Sequence, residues 1–464
     1  YTTLFRSKLD SVQYANAVVM SYENNPYSAS YSAQIIFGGI GAKGKLPISP
    51  NSYFTAGTGI STTPTRLKYT IPEELNVNST SLLKIDSIAL KGIKDKAYPG
   101  CQILVAKNNK VIYQKSFGYH TYENETQVKN DDLYDIASIT KIAASTISLM
   151  KLVDEKKVNL NDSLTNYLAE LKGSNKGPLT LREILTHQAG LKGWISFWQN
   201  TMDKNNYKPG IYNTVRSLQF PYRVAEKLYI NKNYPDSIYK QITQSSVTEK
   251  GKYVYSDLGY YYLSKIIENK GFVPIDWYTH KYFYAPLGLT KMTYKPLNHF
   301  GLQEIVPTEN DTKFRKQLIH GDVHDPGAAM LGGIGGHAGL FSNANDLAVM
   351  MQLFLNKGTY GGKRYIDSNT VKEFTKCQFC KDNRRAIGFD KPTAEGKDSP
   401  VCECVSLLSF GHSGFTGTLA WADPANDLIY IFLSNRVNPN ADENKLAKQG
   451  IRTKIQEVIY QAVK

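Results

Sequence analysis

Strand-forming sequence is concentrated at two places far apart along the chain. "GCQILVAKNNKVIYQKSFGYH" (100–120) reads as a hairpin, with apolar runs on either side of an Asn-rich turn. "HSGFTGTLAWADPANDLIYIFLSNRV" (412–437) reads as two further antiparallel strands. Amphipathic helix patterns flank both: "LLKIDSIALKGIKDKAYPG" before the first pair, ended by Pro-Gly, and "NKLAKQGIRTKIQEVIYQAV" after the second. Between the pairs lies a long helical stretch, begun by "SITKIAASTISLMKLVDEKKV", whose apolar residues recur at spacings of three and four. This order predicts an α/β chain of α+β type: an antiparallel sheet flanked by helices, plus a mainly helical lobe.

Residues 1–70 are of another character. "VQYANAVVMSYENNP" reads as an apolar strand running into a turn, and "SASYSAQIIFGG" as a short helix stopped by glycines. A linker-type stretch, "TAGTGISTTPTR", follows. Together "SYENNP", "AQIIFGG" and "GKLPIS" resemble the C-terminal end of a glycoside hydrolase family three domain. That family's catalytic aspartate lies in an earlier barrel, which nothing here matches, so no glycosidase site is carried over. The expected organisation is a remnant plus linker over 1–70 and a second domain over 71–464. The opening "YTTLFRSKLD" has neither a starting Met nor a charged-then-apolar leader, and reads as a processed or truncated start. No run of 18 apolar residues predicts a membrane span.

Three short motifs carry the chemistry. The first is Ser138-Ile139-Thr140-Lys141. Residues three apart share a helix face, so an amine stands where it could take a proton from a hydroxyl. A serine needs such a base to become a nucleophile, and a lysine serves as one when desolvation or nearby positive charge lowers its pKa. Ile136, Ala137, Ile139 and Ile142 supply an apolar wall. Alone, the motif reads equally as a capped surface helix. The second is Tyr255-Ser256-Asp257, whose phenol becomes a general base if a lysine ammonium lowers its pKa; the alternative is an aromatic helix start packed in the core. The third is His412-Ser413-Gly414, at the head of a strand beside a Gly-rich turn.

Taken together, in this order and about 115 and 155 residues apart, the motifs resemble the S-x-x-K, Tyr-x-Asn and Lys-Thr-Gly signatures of class C β-lactamase-like and penicillin-binding serine hydrolases. "LTLREILTHQAGL" (179–191) and "LGGIGGHAGLFSNANDLAVMMQLFLNKG" (331–358) add to the likeness, which spans roughly residues 75–464. The resemblance implies a β-lactamase-like fold with its cleft between sheet and lobe. It implies attack by Ser138, a proton shared by Lys141 and Tyr255, and Asp257 orienting Lys141. It also implies an oxyanion hole from the backbone N–H groups of Ser138 and Phe415, with Ser413 and Gly414 binding substrate along the strand. His412 would contact the substrate's far end. Two departures matter. His412 replaces the motif lysine, so a fixed charge becomes a group ionised only near or below ~pH 6.5. Asp257 replaces Asn and adds a negative charge beside Lys141. Both point away from penicillin hydrolysis, towards esterases and D-amino-acid peptidases.

The stretch 192–250 is rich in aromatics, among them Trp194 and Trp198, which read as a substrate wall or as the core of a helical subdomain. His337, like His324, falls in a loop near the expected mouth and reads either as a substrate contact or as a loop hydrogen-bonding residue. Cys377, Cys380, Cys402 and Cys404 form a CxxC and a CxC, open to disulfides, free thiols or a structural zinc site. Cys101 falls on a strand and reads as core. The net charge of +14 is scattered without a basic run, so it reads as a solvated surface and not a nucleic-acid face. The expected partners are a small-molecule, peptide or ester substrate and a possible glycoside hydrolase domain upstream. No cofactor is needed by this chemistry. The resemblances imply peptidoglycan or other envelope metabolism in a bacterial periplasm or secreted fraction. Two other function classes stay open: the trailing part of a β-N-acetylglucosaminidase-type fusion, and a penicillin-binding module without turnover.

Overall fold

The computed structural model describes residues 12–380, 383–393 and 399–463. The two strand regions meet in one six-stranded sheet. Its strands are β1 (Lys68–Tyr69), β2 (Gly100–Lys107), β3 (Lys110–Gly118), β4 (Phe410–Gly414), β5 (Thr418–Asp423) and β6 (Leu428–Ser434), in spatial order β1-β3-β2-β6-β5-β4. All neighbours run antiparallel except the short edge strand β1, which lies parallel to β3. The closure is made by β2 against β6, in register from Cys101 opposite Ser434 to Lys107 opposite Leu428. The hairpin turn is Asn108-Asn109, both at positive φ (51° and 59°), a backbone that Asn tolerates and a two-residue turn requires. The far-end stretch holds three strands and not two, because "FGHSG" pairs as the edge strand β4.

Side chains alternate across this sheet, as the pleat demands. Leu428, Tyr430 and Phe432 face one layer, in which α2 (Ser79–Lys94) contributes Leu82, Ile85 and Ala89, and α6 (Ile451–Val463) contributes Ile455, Ile459 and Tyr460. Ile429, Ile431 and Leu433 face the other, against α5 (Ala344–Leu355) and the helical lobe. Within the lobe, α3 (Ile147–Asp154) and α4 (Leu258–Gly271) are largely buried. Each apolar side chain taken from water contributes roughly 1.5–3 kcal/mol, so both faces of the sheet are held firmly.

The N-terminal segment differs. α1 (Pro26–Ile36) is capped by Asn25, which accepts from the Ser28 amide, yet it buries no residue. Its link to the body is Gln34, whose side chain bonds the Tyr69 backbone in both directions (3.1 and 2.7 Å). The expected strand at "AVVM" does not form: 17–20 pair with no strand among the described residues, and Val18 and Val19 are exposed.

Candidate active site

The lobe and the edge strand β4 meet at Ser138. A two-residue strand, Tyr134–Asp135, pairs with Leu340–Ser342 and delivers the chain into a sharp turn in which Ala137 adopts φ 46°. A non-glycine residue there costs about 1 kcal/mol or more, so something must hold it. The buried Asp135 carboxylate does: Oδ1 accepts from the Ala137 amide (2.8 Å) and Oδ2 from the His324 amide (2.7 Å). From the sheet side, Thr416 donates to the Asp135 carbonyl (2.7 Å) and Thr418 to the Ile136 carbonyl (3.2 Å). The predicted long helix therefore begins differently: a 3₁₀ turn at Ala137–Ile139, a wide turn at Lys141–Thr146, and only then α3.

Three side chains from two segments converge. Lys141 Nζ donates to Ser138 Oγ at 2.9 Å and Tyr255 OH donates to the same oxygen at 3.0 Å. Lys141 has no exposed surface, and its ammonium pairs with Asp257 Oδ1 at 2.6 Å while also donating to the His337 carbonyl at 3.2 Å. Burial pushes the Lys141 pKa down, but Asp257 and Tyr255 push it further up, and it ends above its ordinary value. Burial likewise lifts Tyr255, against the opposing pull of Lys141. The expectation of a lysine or phenol with a depressed pKa is thus corrected: the resting cluster is ammonium, carboxylate and neutral phenol. For Tyr255 the cause is burial; for Lys141 it is Asp257, in the place of Asn, together with Tyr255.

On the sheet wall, His412 is also corrected. It is buried, its Nδ1 donates to the Ser413 carbonyl (2.7 Å), and Arg385 Nη2 lies 3.1 Å from its Nε2. Burial, then Arg385 and Lys141, hold its pKa down to about 3, so it is a neutral wall residue and not a switchable cation. The same Arg385 nitrogen lies 3.0 Å from His187 Nε2, and His187 packs on Tyr255 with ring centroids 4.6 Å apart and accepts from the Ser256 amide (3.1 Å). Arg385 is paired with Asp390 at 3.3 Å, and Arg384 grips the same carboxylate at 2.8 Å. Sequence reasoning missed Arg385, His187 and Asp135. "THQAG" and "YDIAS" both adjoin segments already singled out, whereas nothing in "DNRRAIGFD" marks one arginine as buried.

Ser138, Tyr255, Asp257, Arg385 and His412 line one cleft of about 890 Å³, with Ser413, Gly414, Phe415, Trp194 and His337. Gly414 is required by close approach: a Cβ there would lie 2.5 Å from the Ile136 carbonyl and 3.3 Å from Ala137 Cβ. Phe415 follows at the tip of the β4–β5 turn, half exposed, its ring stacked on His324 (5.6 Å). Trp194 is 51% exposed at the mouth. Trp198 is not on the cleft; it stacks on Phe314 (5.5 Å) against the lobe core. His337 is buried, bonded to Asp325 (2.8 Å) and stacked on Tyr261 (4.4 Å), so its contribution is the carbonyl behind Lys141. The thiols of Cys377 and Cys380, and of Cys402 and Cys404, are joined in two local pairs, which leaves none for the four-thiolate zinc alternative; Cys101 is free in the core. No group of three or more metal-binding side chains occurs among the described residues.

The family described as Beta-lactamase matches residues 85–453. A protein of Salmonella heidelberg (strain SL476), whose name gives D-alanyl-D-alanine carboxypeptidase as a provisional activity, is 30% identical over 440 residues, covering 85% of this chain and 93% of the relative. Among solved structures, EstCE1, a hydrolase with promiscuous acyltransferase activity, aligns at TM-score 0.60 and 16% identity over 82% of this chain and 99% of its own. The octameric penicillin-binding protein homologue from Pyrococcus abyssi aligns at TM-score 0.59 and 19% identity, over 82% of this chain and 77% of its own. At these identities the structural likeness is one of fold.

Proposed function

This chain belongs to the Beta-lactamase family, and from that premise we propose that it is an acyl-enzyme serine hydrolase with Ser138 as nucleophile, acting on D-alanyl peptides and related amides or esters. One observation carries the reading: Ser138 Oγ, in the lining of the cleft, is held by Lys141 and Tyr255 at 2.9 and 3.0 Å. As Ser138 attacks the carbonyl carbon, its proton passes to Lys141 while Lys141 passes one of its own to Asp257. Tyr255 then protonates the leaving group and is restored by Lys141, which recovers its proton from Asp257. Water repeats the sequence on the acyl-enzyme: Lys141 takes its proton while passing one to Asp257, and Tyr255 returns a proton to Ser138 Oγ as the acyl group leaves, to be restored in turn by Lys141 and Asp257. Amides of Ser138 and Phe415 face the oxyanion; each such donor is typically worth ~3 kcal/mol. The neutral His412 argues against tight dependence on a β-lactam carboxylate at that position.

A fluorescent fluorophosphonate and a penicillin should each add one label to the chain by intact mass, and none to Ser138→Ala. Equal labelling of both proteins would remove Ser138 from the chemistry. A screen of D-Ala-D-Ala peptides, esters and β-lactams then separates peptidase from esterase; labelling without turnover of any of them would mark a non-catalytic binding module. The carboxypeptidase name of the Salmonella relative favours the peptide, and with it a bacterial periplasmic or secreted location.

We infer a second element for the 1–70 segment: that it closes a glycoside hydrolase family three domain placed before the hydrolase. Tyr27, Tyr31 and Ile36 on α1, and Phe37 just after it, are all exposed, an apolar surface suited to being covered by such a domain. A parent reading frame with no barrel upstream would sink this part and leave the hydrolase untouched.

A further inference from the structure

The net charge of +14 is scattered along the sequence, but the fold gathers part of it. Residues 204–235, with Asp203 and Asp236 at the two ends, hold Lys204, Lys208, Arg216, Arg223, Lys227 and Lys232 against one acid, Glu226. Arg223 is neutralised by Asp322 (2.7 Å); the other five cations form no ion pair among the described residues. The stretch builds a small antiparallel sheet on the lobe, Tyr212–Asn213, Leu228–Ile230 and Tyr222–Ala225 in spatial order. Val224, Ala225, Leu228 and Ile230 are buried and fix it to the lobe core. From it projects the loop 214–221, closed by a two-residue turn. Ser217 and Phe220 exchange both backbone hydrogen bonds (3.2 and 3.1 Å), and the Lys232 amide donates to the Gln219 carbonyl (2.9 Å). Leu218, at the apex, is 94% exposed, and Val215, three residues earlier, is 67% exposed. Such turns are ordinarily filled by Gly, Asn, Asp, Pro or Ser, so the leucine does not serve the backbone, and neither side chain is part of the core. A partner protein needs a patch wide enough to pack against. Two apolar side chains projecting amid free cations suit a fluid interface instead, where apolar insertion and attraction to anionic headgroups add. Tyr222 and Tyr229, both partly exposed, supply rings of the kind that settle at headgroup level.

We propose that the 214–221 loop docks this protein on an anionic lipid surface, with Val215 and Leu218 entering the acyl boundary and Arg216 and Lys232 at the headgroups. The loop is rooted beside the wall of the cleft. Tyr222, just after it, lies over Gly332, where a Cβ would be 3.1 Å from the tyrosine Cδ1. Gly332 in turn follows the short helix Pro326–Met330, whose Pro326 lines the cleft. Docking therefore gives the cleft access to substrates tethered to the same surface, while the binding itself is independent of the hydrolase reading.

The test is co-sedimentation of the full chain, at about 0.1 M salt, with vesicles of phosphatidylglycerol and phosphatidylcholine or of phosphatidylcholine alone. Partition onto the anionic vesicles should be at least about tenfold stronger than onto the neutral ones, and should fall as salt rises to about 0.5 M. Leu218→Ser and Val215→Ser should each weaken it about tenfold, and Arg216→Gln about fivefold. All three side chains are exposed, so thermal unfolding should be unchanged. Leu407, also 67% exposed and in the turn closed by Ser406 and Ser409, is the control: Leu407→Ser should leave binding intact. No sedimentation with anionic vesicles, or a loss in Leu407→Ser equal to that in Leu218→Ser, overturns the docking. Binding that Arg216→Gln lowers but Leu218→Ser and Val215→Ser do not would mark a face for a soluble anionic polymer and overturn the lipid assignment. Labelling at Ser138 is read separately and does not bear on either outcome.

Discussion

The two walls of the cleft are built on different principles. The lobe wall is built on charge: a fully buried lysine, paired with an aspartate 2.6 Å away, and a phenol meet one hydroxyl. The sheet wall works by shape. Its motif histidine is neutral and buried, its glycine is needed for clearance, and its proposed oxyanion donor is a backbone amide at a turn tip. Changes on the lobe wall should therefore alter proton transfer and its pH dependence. Changes on the sheet wall should alter placement of the substrate and the stability of the wall itself.

The largest effect should come from Lys141→Ala. Removing the one base in contact with Ser138 Oγ should slow acylation by about 10⁴-fold, read by mass-resolved labelling; a loss below about tenfold would break the assignment of charge chemistry to this wall. Gly414→Ala comes next. Its Cβ would lie 2.1 Å from Thr418 Oγ1 and 2.5 Å from the Ile136 carbonyl, forcing β4 away from the Ser138 turn. Acylation should fall by about 10²-fold while its pH profile keeps its shape. A displaced profile would mean that the strand also tunes the proton cluster, and the division between the walls would blur.

How much of this was legible in the sequence follows the same division. Ser138, Lys141, Tyr255 and Asp257 were readable because their chemistry is local to short motifs, and the fold was readable because strand alternation and helix spacing survive in any context. What could not be read was environment. The direction of the Lys141 shift depends on whether burial or Asp257 wins, a contest set by a 2.6 Å contact between residues over a hundred positions apart. His412 read as a group that ionises near pH 6.5 because Arg385, which with burial holds it neutral, lies in an unremarkable loop. "AVVM" looked like a strand because its residues favour one, but a strand needs a neighbour to accept its hydrogen bonds, and none is present beside 17–20 among the described residues.

His412 gives the next prediction. Burial, Arg385 and Lys141 hold its folded pKa down to about 3, below the ~6.5 of the unfolded chain. Between those values the unfolded chain binds a proton that the folded one refuses, so the contribution is complete above ~pH 6.5 and is lost as pH falls through that window. At pH 5 the loss should be about 2 kcal/mol. Urea unfolding at pH 7 and pH 5 should show His412→Asn with a correspondingly smaller decline than the unsubstituted protein. Equal declines would mean that His412 is charged in the fold, which would return a cation to the sheet wall.

The smallest effect should come from the mouth. Trp194 is half exposed and, like Tyr253, lines the cleft, where an aromatic contact is worth about 1 kcal/mol. Trp194→Ala should raise KM for a peptide about fivefold without a change in kcat or in unfolding. Trp198→Ala is the control from the same aromatic stretch: stacked on Phe314 inside the lobe, it should lower stability and leave KM alone. If Trp194→Ala is silent for peptide and ester alike, the mouth adds nothing to recognition. Selectivity would then have to reside in the sheet wall.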